Sequence, residues 1–507
     1  MTSRTSAALA IWHARLGKSA SERAYTAYLV ILAIAILGVP VGRIIWLTIV
    51  NGETSSFFTS PHAAIHAGLF AAILWSVALL CGPIRGPAVR APFVSHVLGT
   101  SDISRVRAFG GPSIRATLLL MSTLGALAGM IGFSCALHGS SPLSRVAVFT
   151  ASGITVSALA GFLWLVGQVR PRLATPLAIL ITVMACAGSI VHLPLWTTPW
   201  GWVSLTFPHE TAESGSPALA ALLSLTVVLI GCSGRLLARL DLTELIKQAA
   251  RWERTREYSS IFYTQGVTTM YAPRPRIRHR ISAISCTDSR LIVFLRRDAV
   301  TAERTPGRLA WGIVAVCAAS VILVALSLHS PVWLSSAGLR NILGCAAGVL
   351  AFAGVGAFSD GLRHAVNVAS DFPLYGVSDA RLMGFHALFP TIMTVMIILV
   401  TVTVIFLVAG SLPPMVFGQA LVLGLLSVLT RITTALKGEM PTLLLTPIPS
   451  PAGDLMALFR AAWALEGLLL AAVVGLSVTC APTTIIPVIL VAGVIVSITG
   501  CRWHRRR

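Results

Sequence analysis

Few residues of this 507-residue chain have the type and spacing that chemistry requires. His209, Glu210 and Glu213 match part of the zinc-hydrolase pattern H-E-x-x-H, but the histidine that would bind zinc one turn later is a glutamate. The phosphate-binding loop G-x-x-x-x-G-K-[ST] has its nearest match at 17–19, where Trp12 takes the place of the first glycine. The sequence therefore predicts no catalytic residue and no ATP hydrolysis by this chain.

Histidine and cysteine also form no metal-binding pattern. His62 and His66 stand at i and i+4, a spacing that can bind metal, but no carboxylate or third histidine lies nearby. The nine cysteines are scattered without a C-x-x-C motif, and most fall in apolar segments, where cysteine behaves as a small hydrophobic residue. We therefore expect no metal site, no disulfide framework and no cofactor bound by this chain.

Two charged residues fall inside apolar segments, where charge is costly and marks function by default. Glu466 lies two turns into a predicted membrane span, and Arg431 lies near the inner end of the preceding one. A pair facing the helix bundle would make both charges tolerable. We predict an intramembrane ion pair between Glu466 and Arg431, either as a packing contact or in contact with a transported substrate.

The elements that position these residues must lie in a membrane. Hydrophobic residues make up 55% of the chain, charged residues 11%, and the mean hydropathy is +0.83. Such a chain has too few polar residues to cover a water-soluble globule of this length. The net charge of +20 could suggest nucleic acid, but the basic residues flank apolar segments, where they face anionic lipid. We expect a lipid bilayer and not nucleic acid as the partner.

The positive charges fix an orientation. With both ends placed inside, 35 of the 38 Lys and Arg residues fall in inner segments, and only Arg43, Arg145 and Arg340 lie toward the outer side. Because Lys and Arg resist translocation, this bias predicts a multi-pass protein of the cell membrane with both termini in the cytoplasm. No short apolar segment at the N-terminus ends in a small-residue cleavage site, so we expect the first helix to remain.

Twelve apolar segments are each near the ~20 residues that cross a bilayer as a helix. The predicted class is therefore all-α, a polytopic membrane protein. The predicted spans are 25–46, 62–81, 116–136, 146–166, 173–192, 217–235, 309–328, 341–359, 387–409, 415–436, 458–479 and 485–501.

The two sets of six spans resemble each other, so we predict a duplicated 6+6 arrangement with a pseudo-two-fold axis. Residues 1–235 form the first half with an N-terminal amphipathic helix, 236–308 a cytoplasmic linker with an amphipathic connecting helix, and 309–507 the second half. Three motif pairs in matching order support the duplication: a Gly-x-Ser-Asp motif at 99–102 and 376–379, a Glu-Arg motif at 22–23 and 303–304, and a Pro-flanked loop at 171–176 and 441–447.

One inner loop carries a resemblance to a known family. It has the sequence DGLR at 360–363, DFPLYGVSDAR at 371–381 and HALFP at 386–390. This segment resembles the loop between helices two and three of ABC-type exporter permeases, the class that includes drug and polysaccharide exporters. The resemblance implies an amphipathic connecting helix and six spans in each half. It also implies a short coupling helix in this loop that rests on a separate ATPase subunit.

The residues that would contact the ATPase follow from matching the two loops. Ser101 and Ser378 are predicted N-caps, and Asp102 and Asp379 suit the positive end of a short helix. Arg105 and Arg381 would then face the cytoplasm or a partner. The predicted coupling residues are Gly99, Ser101, Asp102, Arg105, Gly376, Ser378, Asp379 and Arg381.

The resemblance also implies the energy source. A fused pair of halves needs two copies of a nucleotide-binding domain, which hold ATP and Mg on a separate subunit, because the linker is too short to be such a domain. The outer loop 193–217, with Trp196, Trp200 and Trp202, lies where exporters of this class carry an external cap. We treat it as a hypothetical outer gate.

Two other functions fit parts of the sequence. Major-facilitator carriers also have twelve spans, but they keep a Gly-x-x-x-Asp-Arg motif where this chain has Asp three residues after Gly99 and Gly376. A membrane-embedded enzyme acting on lipid-linked substrates would want several outer-face acids or histidines. The predicted outer loops contain only Glu53, Glu210 and Glu213 as acids.

Overall fold

The computed structural model describes residues 19–50, 57–60, 62–139, 141–191, 193–208, 212–260, 270–271, 275, 289–327, 337–368, 376–438, 440–446, 448–450, 453–454, 456–480 and 485–505. Within these residues the only β-structure is an antiparallel pairing of Pro449–Ser450 (β1) with Gly453–Asp454 (β2). Ten helices in this part of the chain are long and apolar enough to cross a membrane, and a bent helix pair makes an eleventh. The predicted all-α polytopic membrane class is confirmed.

The chain forms two compact units, Met1–Glu257 (unit 1) and Tyr258–Arg507 (unit 2), so the division falls inside the predicted linker. The helices of unit 1 are α1 Ala20–Ala33, α2 Val39–Val50, α3 Ala63–Ile84, α4 Pro92–Thr100, α5 Arg105–Leu137, α6 Leu143–Val169, α7 Pro171–Val191, α8 Pro199–Leu205, α9 Ala212–Gly231, α10 Ser233–Ala238 and α11 Leu242–Ser260. A π-helical turn, Ile34–Gly38, joins α1 to α2, and a 3-10 turn, Leu195–Thr197, precedes α8.

Unit 2 begins its described helices in the second part of the linker. They are α12 Arg290–Glu303, α13 Pro306–Ser327, α14 Ala337–Val355, α15 Asp360–Val368, α16 Asp379–Ala409, α17 Pro414–Ala435, α18 Thr442–Leu445, α19 Met456–Cys480 and α20 Ile486–His504. The predicted span 341–359 corresponds to α14, after which the chain turns by 66° into α15. The predicted first span, 25–46, overlaps Ile34–Val50, an apolar helical segment that is shorter than the ten spanning helices.

The same order of helix lengths occurs in both units. In unit 1 the spanning helix α3 is followed by the nine-residue α4 and the 33-residue α5. In unit 2, α14 is followed by the nine-residue α15 and the 31-residue α16. Each long helix is followed by three further spanning helices, α6, α7 and α9 or α17, α19 and α20.

Small residues let the spanning helices approach closely, as expected where lipid supplies no hydrophobic drive between helices. In unit 2, a Cβ on Gly348 of α14 would lie 2.0 Å from the Ala471 carbonyl oxygen of α19. In unit 1, the indole N–H of Trp75 donates to the Val156 carbonyl at 3.0 Å, which ties α3 to α6 through a buried polar contact. These contacts fix how each helix is rotated about its own axis.

Two helix starts illustrate local control by sequence. At α1, the Glu22 amide donates to Ser19 Oγ at 3.1 Å and the Ser19 amide donates to Glu22 Oε2 at 2.9 Å, a reciprocal capping box. The Glu-Arg motif at 22–23 therefore lies in the first turn of a helix, whereas its predicted counterpart at 303–304 ends α12. The N-terminal amphipathic segment up to residue 18 and the motif beginning at His209 lie outside the described residues.

Candidate functional site

Each unit has a linker helix, α11 in unit 1 and α12 in unit 2. The linker helix packs at one end of its unit, and we name this end the linker end. Leu242 at the start of α11 lies against Gly99 of α4, where a Cβ would come within 2.1 Å of Leu242 Cδ1. In unit 2, the Arg290 guanidinium at the start of α12 donates to the Gly376 carbonyl at 3.2 Å. Each linker helix therefore contacts the loop that the sequence predicts to bind an ATPase.

In the first predicted coupling loop, the helix boundaries differ from those predicted. The Ser101 hydroxyl donates to the Leu98 carbonyl at 2.9 Å and follows the last residue of α4, so it ends a helix. The prediction that Ser101 is an N-cap is wrong, because α4 continues through Thr100 and α5 starts only after Ser104. Asp102 is exposed between the two helices.

Arg105 is used within the chain. Its guanidinium Nη1 donates to the Leu240 carbonyl, which connects α5 to the segment between α10 and α11. The side chain is only partly exposed. Arg105 thus holds the start of α11 in place, a role that differs from the predicted contact with a partner.

The second predicted coupling loop has free space around Gly376. Gly376 has φ +59°, a left-handed conformation that favours glycine, and a Cβ there would meet no atom. Ser378 occupies the N-cap position of α16, as predicted, although its hydroxyl makes no capping bond, and Asp379 lies in the positive first turn. Arg381 is exposed, and its side chain makes no hydrogen bond or ion pair with the described residues. The Gly-x-Ser-Asp motif therefore ends a helix in unit 1 and starts one in unit 2.

Neutral amides hold α11 in unit 1. Buried Gln248 donates from Nε2 to the carbonyls of Gly82 and Pro83, at 3.3 and 3.1 Å, and accepts from Gln168 Nε2 at 3.0 Å. Gln168 Oε1 in turn accepts from the Ala88 amide at 3.2 Å. These bonds give hydrogen-bond partners to the backbone carbonyls at the end of α3, and they attach α11 to the linker end of unit 1.

A carboxylate and an imidazole hold α12 in unit 2. His386 Nδ1 of α16 lies 2.7 Å from Asp298 Oδ2, and both residues are buried. Gly361 of α15 packs on this pair, since a Cβ there would lie 2.3 Å from Asp298 Oδ2 and 2.4 Å from His386 Nδ1. His386 Nε2 is buried and makes no hydrogen bond with the described residues. The pair joins three helices, α12, α15 and α16.

The predicted Glu466–Arg431 pair is absent. Glu466 of α19 accepts two bonds from Arg502 Nη2 of α20, at 2.7 and 2.6 Å, and lies 3.4 Å from Lys437 Nζ. The pairing differs because the Arg502 side chain at the end of α20 also donates to the Thr433 carbonyl at 2.8 Å, which ties α17, α19 and α20 together. Glu466 is thus an ion-pair residue, with other partners than predicted.

Arg431 lies elsewhere on α17. Its Nε donates to the Phe352 carbonyl at 2.7 Å, and its guanidinium stacks 3.5 Å from the Phe352 ring centroid, a cation–π contact. Gly356 makes this position available, because a Cβ there would lie 2.5 Å from Arg431 Nη2. Arg431 therefore faces a cavity between α13, α14, α15 and α17.

The opposite end of unit 1 contains a second type of cavity, which is apolar. It has a volume of about 350 Å³, and Phe57, Phe58, Phe149 and Phe207 contribute to its wall. His66, one of the two histidines considered for metal, also lines it, and its Nδ1 lies 2.7 Å from the His62 carbonyl oxygen. Among the described residues no group of three or more His, Cys, Asp or Glu could hold a metal ion.

The described part of the predicted outer loop, between α7 and α9, is partly helical. Thr198 caps α8 by accepting from the Gly201 amide at 3.2 Å, and the Trp202 indole donates to the Trp196 carbonyl at 2.8 Å. The α8 helix packs on α3 and α9. These contacts lie at the end of unit 1 opposite the linker end.

Sequence patterns alone do not single out the residues that hold the linker helices. One signal is present: Asp298 lies four residues from both Phe294 and Ala302, which are buried, so its side chain falls on the apolar face of α12. A charged residue on the buried face of a helix needs a partner. The sequence does not indicate which of the histidines supplies it.

Comparison with known proteins gives no assignment. No protein-family model, no curated protein and no solved structure significantly matches this chain.

Proposed function

We propose that this chain is the membrane-spanning permease component of an ATP-driven exporter of the ABC type, powered by separate ATPase subunits. The two units would be equivalent six-helix halves, and the cell membrane would hold them with both termini and both linker ends facing the cytoplasm. ATP and Mg would be bound by two copies of a nucleotide-binding domain on the partner. The direction of transport, export, comes from the resemblance of segment 360–390 alone.

One observation supports the proposal: in each unit a linker helix is in contact with a predicted coupling segment, at Gly99 near the end of α4 in unit 1 and at Gly376 after α15 in unit 2. A force on loop 376–381 would pass through Arg290 to α12 and through Asp298 and His386 to α16. A transporter needs such a connection, since ATP binding does work only through contacts that change between states. The shared order of helix lengths supports the duplication, although the Gly-x-Ser-Asp motifs occupy different helix ends.

Arg381 provides the sharpest test, because its side chain is exposed and makes no bond with the described residues. We expect Arg381→Glu to abolish stimulation of the partner's ATPase and co-purification of that subunit, while insertion and thermal stability stay unchanged. Arg296→Glu is the matched control, an exposed arginine of α12 that lies outside the loop. Membranes from the native host, solubilised and purified on a tag carried by this chain, supply the ATPase subunit.

Arg105→Glu distinguishes a structural role from a coupling role. Because Arg105 bonds to the Leu240 carbonyl, this variant should lose stability as well as ATPase stimulation. Unchanged ATPase stimulation in Arg381→Glu, or purification from native membranes without any ATPase subunit, would contradict the proposed function.

A further inference from the structure

The linker end of unit 2 contains a cavity of about 660 Å³ with an unbalanced charge. Four arginines line it, Arg304, Arg308, Arg363 and Arg431, against one carboxylate, Asp360. The described lining therefore carries three uncompensated positive charges. We call this cavity the arginine pocket.

The single carboxylate is already engaged. Asp360 accepts from Arg308 Nη1 at 2.5 Å and from Nη2 at 2.8 Å, a bidentate pair, and Arg308 Nη2 also donates to the Gly356 carbonyl at 2.6 Å. Arg308 is thus fixed by its own chain. The excess charge comes from the other three arginines.

Those three arginines have unused donors. Among the described residues, the side chains of Arg304 and Arg363 make no hydrogen bond or ion pair, and Arg431 uses only its Nε, toward the Phe352 carbonyl. Both terminal nitrogens of Arg431 remain for a ligand. Guanidinium groups match phosphate in planar, two-point hydrogen bonds, so converging arginines without a carboxylate favour an oxyanion ligand.

The pocket lies at the ends of helices that are long and apolar enough to span a membrane, where lipid headgroups are expected. It is formed where the spans α13 and α14 meet at the linker end and where Arg431 lies near the end of α17. Trp311 of α13, 55% exposed, lines the same pocket, and tryptophan prefers the membrane–water interface. Basic pockets between spanning helices at this depth are suited to anionic headgroups.

We propose that the arginine pocket binds a phosphate group, carried by an anionic phospholipid headgroup or by a soluble phosphate ester. Arg304, Arg363 and the terminal nitrogens of Arg431 donate to its oxygens, while the Arg308–Asp360 pair holds α13 and α15 in register. The pocket belongs to unit 2 alone, so this inference stands whether or not the chain works with an ATPase.

The test measures thermal stabilisation of the purified full chain by added lipid. We expect phosphatidylglycerol to raise the unfolding temperature more than phosphatidylcholine does. The double variant Arg304→Gln with Arg363→Gln should need about 25-fold more phosphatidylglycerol for the same shift, because each arginine near a charged headgroup contributes about fivefold. Both side chains make no bond with the described residues, so the variant should fold. Arg296→Gln, which removes an exposed arginine of α12 outside the pocket, is the control.

Two further additions identify the source of the phosphate. Stabilisation by phosphatidylglycerol but not by millimolar glycerol phosphate or inorganic phosphate assigns the pocket to a lipid headgroup. Stabilisation by the soluble compounds as well, lost in the double variant, assigns it to the phosphate group itself. An equal response of the double variant and the wild type to all three compounds overturns the proposal.

Discussion

Each linker end attaches a linker helix, but the two ends do so with different chemistry. In unit 1, the buried and uncharged amides of Gln168 and Gln248 attach α11, and Arg105 bonds to the uncharged Leu240 carbonyl just before it. In unit 2, α12 is attached through Asp298 and His386, and the same end holds the Glu466 cluster and the arginine pocket. Similar helix order therefore does not imply similar sites.

This difference predicts which contacts can respond to salt and to charged ligands. An amide network stabilises a fold without responding to salt or to charged ligands. A cluster of charged residues responds to both, because its energy depends on every charge nearby. We therefore expect the Gln168–Gln248 contact to be insensitive to salt and the Glu466 cluster to respond to it.

The largest expected effect is at Asp298. Asp298→Ala leaves the buried His386 without its partner, and we expect the free energy of unfolding to fall by about 3 kcal/mol. Asp298→Asn should cost less, since the amide oxygen can still accept from His386 Nδ1. Unfolding titrations in mixed detergent measure both, with exposed Asp102→Ala as control. Equal stability of Asp298→Ala and the wild type would refute the role of this pair.

The unit 1 counterpart is Gln248. Gln248→Ala orphans the Gln168 amide and the carbonyls at the end of α3, and we expect a loss of about 2 kcal/mol. Because amides do not titrate, the loss should be the same from about pH 5 to about pH 8. The same unfolding assay at several pH values checks this. A loss that changes across this range would show that a titrating group contributes to the Gln248 contacts.

The Glu466 cluster should give a smaller effect. Glu466 is 23% exposed, so solvent screens its pairs, and Glu466→Gln should cost about 1 kcal/mol. High salt should reduce this difference, whereas the loss from Gln248→Ala should not depend on salt. Arg431→Gln provides a direct check on partner choice. In a double-mutant cycle, Glu466 should couple to Arg502 and not to Arg431.

The smallest effect concerns the connection between α17 and α19. A hydrogen bond from Arg460, assisted by the backbone N–H groups of Ile448 and Met456, lowers the pKa of Asp454. The contact is therefore fully present above about pH 4, the ordinary value for aspartate, and is lost as pH falls through the lowered pKa. In unit 1 a single residue, Arg170, joins α6 to α7, so no such response is expected there.

Hydrogen exchange can measure this response. Protection of the Ile448 and Met456 amides should disappear at low pH, and in Arg460→Gln it should disappear at a higher pH than in the wild type. An identical midpoint in the two proteins would show that Arg460 does not set the pKa of Asp454.

The positions of the spanning helices could be predicted from the sequence, because a bilayer admits only segments that satisfy their own backbone bonds. Length and apolar composition are local properties, so segments such as 387–409 and 415–436 lie within the observed helices α16 and α17 or within one residue of their ends. The sequence does not predict the break after α14, because the residues at the break are as apolar as those of a continuous span. The all-α membrane class was thus determined by the sequence alone.

The contacts within the candidate sites were decided only by the tertiary structure. The sequence analysis paired Glu466 with Arg431, whereas the packing of α17, α19 and α20 brings Arg502 and Lys437 to Glu466. Asp298 pairs with His386, which lies 88 residues away in the sequence. Four arginines line one cavity because the chain turns between α14 and α15. Helix rotation depends on the packing of many small residues at once, and no local segment of the sequence contains that information.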